Sequence, residues 1–500
     1  MNIITLLEMM AEAHPQRTAV TGDGESLDYG GLLAAARGLA SELVGGGAAY
    51  CGHLAMSSLT TPVALFAAAL AGVPYTPLNY RLTAAELSAL VARIDPALLI
   101  VDPEYAARIN VPPGVALVDR REALARALDQ GEAAEISPSD PSVAVQLFTS
   151  GTTGAPKAAI LRHENLFSYI IGSVEFASAS EAEATLVAVP PYHIAAVSAI
   201  LSSIYSGRRI VQLPSFDATE WLRLCREERV TNAFLVPTML SRIVEHLDRG
   251  GERPDLPHLR AVAYGGGRMP GAIIARAMDL FAQVDFTNAY GLTETSSTIC
   301  LLGPDDHRAA ARSADPRVRR RLFSVGRSLP MVEIEVRDEI GQPLGSDLVG
   351  RVHVRGPQVS GEYGGLGSMV DAEGWFDTRD RGFLDTEGYL FLDGRADDVI
   401  VRGGENISPG EVEDALMGHA AVRDAAVVGI PDDNWGEAVA AAVVLTHSGI
   451  SEAELQAWVR DRLRSSRVPQ VIRFVEVLPY NELGKLLRRV VRDDFAAGDS

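Results

Sequence analysis

Apolar positions along this chain follow two rhythms, and the change between them divides it. From 185 to 290, apolar runs at Leu186–Val189, Arg209–Leu213, Asn232–Val236, Arg260–Tyr264 and Val284–Asn288 alternate with stretches of helical spacing. Short buried runs separated by helices predict βαβ units and a mainly parallel sheet. Residues 1–140 alternate in the same way, with helices predicted at Tyr29–Val44 and Ala84–Val91 and a strand at Ala97–Val101. Thr83 with Glu86 three positions later gives the second helix a capping box. Beyond about residue 320 the rhythm shortens to Val332–Arg337, Gly350–Arg355 and Tyr389–Leu392 between Gly and Asp turns, as an antiparallel, barrel-like layer would require. A charged turn from Gly394 to Asp398 then opens a compact α+β pattern that runs to Ser500.

The expected fold is therefore α/β. A large N-terminal domain, 1–394, has parallel sheets with helices plus the barrel-like β layer, and a small α+β domain, 395–500, follows. Five hundred residues exceed what one hydrophobic core usually serves, which agrees with two domains. The chain is 47% hydrophobic and 22% charged, a globular balance that excludes long disorder. Its net charge of −20 argues against a nucleic-acid or anionic-membrane binder, so an anionic substrate must be met by a local positive site. Cys51, Cys225 and Cys300 are far apart and read as buried free thiols in a reducing compartment. Met1 to Arg17 reads as an amphipathic helix and not a signal peptide, and the longest apolar stretches, such as Pro62 to Val73, are too short to span a membrane. A cytoplasmic location is expected.

The densest chemistry lies between Thr149 and Lys157, T-S-G-T-T-G-A-P-K, directly after an apolar strand at Val143 to Phe148. Gly151 and Gly154 free the backbone to turn and expose its N–H groups. Thr149, Ser150, Thr152 and Thr153 add hydroxyls, and Lys157 adds a cation. That combination suits a polyphosphate. It is not the loop G-x-x-x-x-G-K-[ST], because Pro156 replaces the second glycine and Ala158 stands where a hydroxyl is needed.

Further candidates stand behind the predicted strands, where ligands of parallel sheets gather. Pro190-Pro191-Tyr192-His193 follows one run, Gly265-Gly266-Gly267 another, and Tyr290-Gly291-Leu292-Thr293-Glu294 a third. A carboxylate behind a strand is commonly a helix N-terminal residue favoured by the dipole. Near a phosphate loop, Glu294 instead suits the magnesium of Mg-ATP, a hard cation that takes carboxylate oxygens. Tyr290 offers a flat face to a purine. Asp380, in G-W-F-D-T-R-D-R-G, can accept both hydroxyls of a ribose, and Arg395 can brace ribose or phosphate. Alone, each of these two is more often an ordinary surface ion pair. Lys485 stands in a proline-led turn, P-Y-N-E-L-G-K.

Taken in order, T-S-G-T-T-G-A-P-K, Y-G-L-T-E, G-W-F-D-T-R-D, G-R-A-D-D-V-I and P-Y-N-E-L-G-K resemble the adenylate-forming superfamily: acyl- and aryl-CoA synthetases, peptide-synthetase adenylation domains and firefly luciferase. The resemblance spans essentially the whole chain. It implies a C-terminal domain that moves about a hinge at Asp397, with Lys485 as the adenylation lysine. Thr152 and Glu294 would serve the metal, Asn288, Ala289, Tyr290, Gly291 and Thr293 would adjoin the nucleotide, and Thr293 and His193 would complete the catalytic set. Gly403 and Gly404 would meet the thiol arm of coenzyme A, and Trp435 would stack on its adenine. There are two departures: Ala158 and Arg379 stand where the family has glycine.

The implied cofactors are ATP, Mg2+ and coenzyme A. The acyl pocket expected from His193, Ile194, Val197, Phe234, Val236, Gly267 and Ser296 is apolar or small, favouring a hydrophobic acid. No acidic residue lies in H-I-A-A-V-S-A-I, where an amino-acid ammonium would need a partner. The expected activity is an acyl-CoA synthetase. The alternatives are a freestanding ligase that loads a separate carrier protein, and a non-catalytic nucleotide or acyl sensor.

Overall fold

The computed structural model describes residues 1–129, 143–149, 156–251, 254–432, 434–447, 449–481 and 484–497. They fall into two compact units. The first holds 1–322, 328–333 and 355–376; the second holds 323–327, 334–354 and 377–500. The position expected for a domain boundary, after Gly394, lies inside the second unit.

The first unit carries two large sheets. In one, the strands Asp285–Leu292, Ala261–Gly265, Asn232–Leu235, Ala184–Val187, Arg209–Gln212 and Thr18–Gly22 are successive neighbours. Every pairing among these six is parallel. The five apolar runs read between 185 and 290 are all present as strands, four of them within a residue or two and the last extended to Leu292. In the other sheet Lys157–Arg162, Val143–Thr149, Tyr75–Pro77, Tyr50–Leu54, Ala97–Val101 and Val115–Asp119 are neighbours in that order. The strand Ala97–Val101 is buried at all five positions, as its uninterrupted apolar sequence requires. Thr60–Ala71, the longest apolar stretch, is a helix buried on every side but its last residue. Among the described residues no helix is long and apolar enough to cross a membrane. Thr83 caps Ala84–Val91 as expected, its hydroxyl accepting from the Glu86 amide while the Glu86 carboxylate accepts from its own.

The strands Glu333–Arg337, Gly350–Arg355, Phe376–Leu384 and Leu390–Arg395, which lie in the second unit except for a terminal residue of three of them, form a four-stranded sheet. The last part of the chain is built on the long hairpin Val422–Asp432 and Gly436–Leu445, whose residues alternate between two cores. Ala425, Val427, Val439, Ala441 and Val443 face Val412, Leu416, Leu455 and Val459 of two helices. Ala426, Val428, Ala440, Ala442 and Val444 face Val491 and Phe495 of the terminal helix Arg488–Ala497. The period of two sorts the side chains from Ala425 onward, and a bulge between Val422 and Asp424 brings Val422 to the first core as well. Arg488 ties the layers together: it pairs with the buried carboxylate of Glu413 and donates to the Val427 carbonyl at 2.7 Å. Breaking a buried pair of this kind costs about 3–5 kcal/mol, because it leaves a charge uncompensated.

Cys51, Cys225 and Cys300 are free and buried, and burial pushes the Cys51 thiol up to about 12. His53 is fully buried and neither ring nitrogen has a hydrogen-bond partner among the described residues. Burial, with the Arg120 charge adding to it, lowers its pKa to about 3. The unfolded chain takes up this proton near pH 6.5, so His53 costs no stability above 6.5 and costs progressively more as pH falls toward 3. Between pH 6.5 and 4, the unfolding free energy of His53→Leu should therefore fall less steeply than that of the wild type, by up to about 1.4 kcal/mol per pH unit. Chemical denaturation at stepped pH measures this, and parallel profiles would contradict it.

Arg379 has φ +59°, a left-handed conformation in a bulky residue, and its amide donates to Asp377 Oδ1 at 2.8 Å. The strain costs about 1–2 kcal/mol, against about 0.4–1 kcal/mol of unfolded-state entropy that a glycine adds. Arg379→Gly should therefore raise the melting temperature, which calorimetry would show; a lower value would mean the side chain makes a stabilising contact.

Candidate active site

Neighbouring parallel strands end on one edge of their sheet, and four of them deliver the candidate residues there. After Asp285–Leu292 comes a short 3₁₀ turn, Thr293–Thr295, carrying Thr293 and Glu294. After Ala261–Gly265 comes the glycine turn, after Asn232–Leu235 comes Val236, and after Ala184–Val187 come Tyr192 and His193. Asn288, Ala289, Tyr290 and Gly291 lie inside the strand Asp285–Leu292. The glycines are demanded by close packing: a Cβ on Gly265 would stand 2.1 Å from the Ala289 carbonyl oxygen, and one on Gly291 1.7 Å from that of Ser297. Gly266 has φ +81°, and Gly266 and Gly267 are exposed.

His193 leads into the helix Ile194–Ser206 in extended conformation. Its ring centroid is 4.5 Å from that of Tyr192, and burial, with the charge of Arg81, lowers its pKa to about 3. The imidazole is therefore neutral at physiological pH, with Nε2 covered and no hydrogen-bond partner among the described residues. Of the pocket candidates, Val197, Val236 and Ser296 are buried, while Ile194 and Phe234 are half-buried. Phe234 and Val236 line the glycine turn, each 3.6 Å from where a Cβ of Gly265 or Gly266 would stand. Ser296 is left-handed, φ +56°. The hydroxyl of Ser297 donates to that of Ser198 at 3.1 Å, joining the turn after Glu294 to the His193 helix.

Thr149 and Lys157 are paired across the antiparallel strands that flank the phosphate-type loop. Ser150, Gly151, Thr152, Thr153 and Gly154 lie outside the described residues. Ala158 occupies an ordinary strand position opposite Phe148, with its methyl buried. Glu294 has a partner that no local motif announces. The Tyr363 hydroxyl donates to its Oε1, and the amides of Ser360 and Gly361 donate to its carbonyl at 2.9 and 3.0 Å. A single carboxylate fixed in this way suits magnesium, which binds through one or two carboxylates and completes its sphere with phosphate and water.

In the second unit Asp380 is buried and paired with Arg395 at 3.0 Å, and Arg395 also donates to the Thr378 carbonyl at 3.0 Å. Asp397 is exposed in the short turn that follows. Gly403 has φ +59° and Gly404 φ +84°. A Cβ on Gly403 would meet the Trp435 ring at 2.6 Å, and the Trp435 carbonyl accepts from the Gly403 amide at 2.7 Å. Trp435 is half-exposed. Lys485 is exposed in a turn closed by Asn481, whose side-chain oxygen accepts from the Lys485 amide at 2.8 Å. The same turn is anchored through Tyr480, which donates to Asp424 at 3.1 Å. Asp424 lies near one end of the strand Val422–Asp432, and Trp435 lies just past the other end. At about 3.3 Å per residue Asp424 and Asp432 are roughly 26 Å apart along the strand.

Known proteins resemble this chain along most of its length. The family described as AMP-binding enzyme matches residues 7–364, and its C-terminal domain matches 411–485. A feruloyl-CoA synthase from an Amycolatopsis species is 33% identical, over 97% of each chain. A fatty acid–[acyl-carrier-protein] ligase from Streptomyces coeruleorubidus is 31% identical, over 98% of this chain and 95% of that one. The o-succinylbenzoate coenzyme A synthetase of Bacillus subtilis, solved with its acyl-adenylate intermediate, superposes with a TM-score of 0.84 at 28% identity over 98% of each chain. It has also been solved with ATP and a magnesium ion, at a TM-score of 0.80. The chain belongs to the AMP-binding enzymes of the adenylate-forming superfamily.

Proposed function

We propose that this chain activates a hydrophobic carboxylic acid as its acyl-adenylate and passes the acyl group to coenzyme A. It is an AMP-forming acid–thiol ligase, and its cofactors are ATP, Mg2+ and coenzyme A. The observation that carries the fuller reading is the convergence of Glu294, the glycine turn, Val236 and His193 on one edge of a parallel sheet.

In the first step a substrate carboxylate oxygen attacks the ATP α-phosphorus, the bond to the β-phosphate oxygen breaks, and pyrophosphate leaves. Transfers of this kind are catalysed mainly by positioning and charge neutralisation. Thr149 to Lys157 hold the β- and γ-phosphates, Glu294 with Thr152 would hold magnesium, and Asp380 with Arg395 receive the ribose. Magnesium neutralises phosphate charge when bound. Lys485 stabilises the negative charge that the carboxylate and α-phosphate share in the transition state. In the second step the coenzyme A sulfur attacks the acyl carbon, AMP leaves, and the thiol proton passes to solvent. Gly403 and Gly404 admit the thiol arm, and the exposed Trp435 ring takes the adenine.

The half-buried apolar groups Ile194 and Phe234, together with a neutral His193, favour an uncharged, hydrophobic acyl group. A separate carrier protein is the second acceptor considered, and the carrier-protein ligase among the relatives supports keeping it. We also keep the reading that residues 395–500 move about Asp397 between the two steps.

Two measurements test this. Pyrophosphate release over a panel of aryl, fatty and amino acids should depend on an aryl or fatty acid, and the trapped product should be acyl-CoA; release with amino acids alone, or transfer only to carrier protein, would contradict the reading. Lys485→Ala should slow acyl-adenylate formation by at least about 10²-fold, about 2.7 kcal/mol of transition-state stabilisation, yet largely spare thioester formation from supplied acyl-AMP. Equal loss in both half-reactions would remove Lys485 from its assigned role.

A further inference from the structure

Tyr363 is 69 residues from Glu294 in sequence and belongs to a two-residue strand, Glu362–Tyr363, paired on its other side with Gly367–Ser368. That strand is pinned to Lys157–Arg162. Tyr363 pairs with Ala159, Gly364 donates to the Ala158 carbonyl at 2.8 Å, and Glu362 accepts two bonds from Arg162 at 2.8 and 2.9 Å. Tyr363 thus has a fixed backbone beside the exit of the phosphate-type loop. Its hydroxyl donates to Glu294 Oε1 and, among the described residues, is the only hydrogen-bond donor to that carboxylate. Its ring carries the Lys157 ammonium 5.5 Å from the centroid, within the range at which a tyrosine face attracts a cation. The preceding residues Ser360 and Gly361 hold the Glu294 carbonyl, so one segment grips this glutamate at both its main chain and its side chain.

We infer that Tyr363 is a positioning residue for the magnesium–triphosphate group. It fixes the Glu294 carboxylate with one oxygen engaged and the other left for the cation, and it holds Lys157 over its ring at the triphosphate end of the same site. Two groups of opposite charge, one on a strand and one in a 3₁₀ turn, are thereby set by one side chain before nucleotide arrives. A rotamer locked in advance loses less freedom when the metal binds, and groups that orient a metal ligand commonly change metal affinity 10- to 100-fold when removed. The inference rests on the reading of Glu294 as the magnesium carboxylate.

The test is calorimetric titration of ATP, and separately of AMP, into the full-length protein at stepped Mg2+ concentrations, with no acid present so that no turnover occurs. Tyr363→Phe keeps the ring and deletes only the hydroxyl. It should raise the Mg2+ concentration needed for half-maximal ATP binding about tenfold and leave AMP affinity within about twofold of wild type. Tyr363→Leu, which also removes the face under Lys157, should in addition weaken ATP binding without Mg2+. An unchanged Mg2+ requirement in Tyr363→Phe, or equal weakening of ATP and AMP, would overturn the inference, since a purely structural tyrosine would affect both nucleotides alike. Glu294→Gln separates the two levels. If it too leaves the Mg2+ requirement unchanged, the magnesium reading itself fails; if it shifts while Tyr363→Phe does not, only the role of Tyr363 fails.

Discussion

Strands that run parallel and lie side by side must all finish on the same edge of their sheet, and the site in the first unit follows from that constraint. Asp285–Leu292, Ala261–Gly265, Asn232–Leu235 and Ala184–Val187 are consecutive neighbours, so whatever follows each of them is brought together without further specification. Nothing in the sequence separation of His193 and Glu294 suggests proximity. The direction of the strands supplies it, and the Ser198–Ser297 hydroxyl contact is its local consequence. The glycines belong to the same logic: with Ala289 and Ser297 carbonyls about 2 Å from a notional Cβ, only glycine lets these strand ends approach so closely.

Charge is the second constraint. A chain of net charge −20 repels ATP at long range, so affinity has to come from fixed groups at short range. The candidate cations are accordingly tethered and not floating. Lys157 lies over the Tyr363 ring, and Arg395 is held by Asp380 and the Thr378 carbonyl. Ion pairs on an exposed surface contribute little. A buried partner such as Asp380 has a different effect, because it holds the Arg395 guanidinium in one geometry.

The fold was legible wherever local physics decides it. Alternating apolar runs located the five central strands to within a few residues, and the capping chemistry of Thr83 and Glu86 formed as read. Motif order named the candidate residues, because each motif is a contiguous stretch. What escaped was long-range pairing. Tyr363 sits in a two-residue strand with no periodicity to reveal it, and its link to Glu294 depends on how two sheets of the first unit meet. The conformation at Arg379 was equally hidden. The sequence shows an arginine before Asp380, but only the backbone shows that this bulky residue holds a left-handed φ of the kind glycine adopts freely. The division into compact units was also invisible, since contacts of the four-stranded sheet with the C-terminal part leave no trace in composition.

The small C-terminal sheet bears on why such an enzyme needs motion at all. Lys485 is anchored through Tyr480 to Asp424, while Gly403 and Trp435 are joined at the opposite end of the same strand, Val422–Asp432, roughly 26 Å away at about 3.3 Å per residue. A β-strand paired along its whole length and packed on both faces by helices does not shorten or bend by that amount. The distance between the lysine assigned to the first half-reaction and the surface assigned to the second is therefore fixed by the fold. Both half-reactions act on the same acyl carbon and its phosphate, so groups held that far apart cannot serve it from one orientation. If both assignments hold, the rigid element must be turned as a whole, and the turning must occur outside the hairpin, where Asp397 stands exposed in a short turn with little packed against it. The stiffness of one strand is thus the reason the reaction would have to be divided in time.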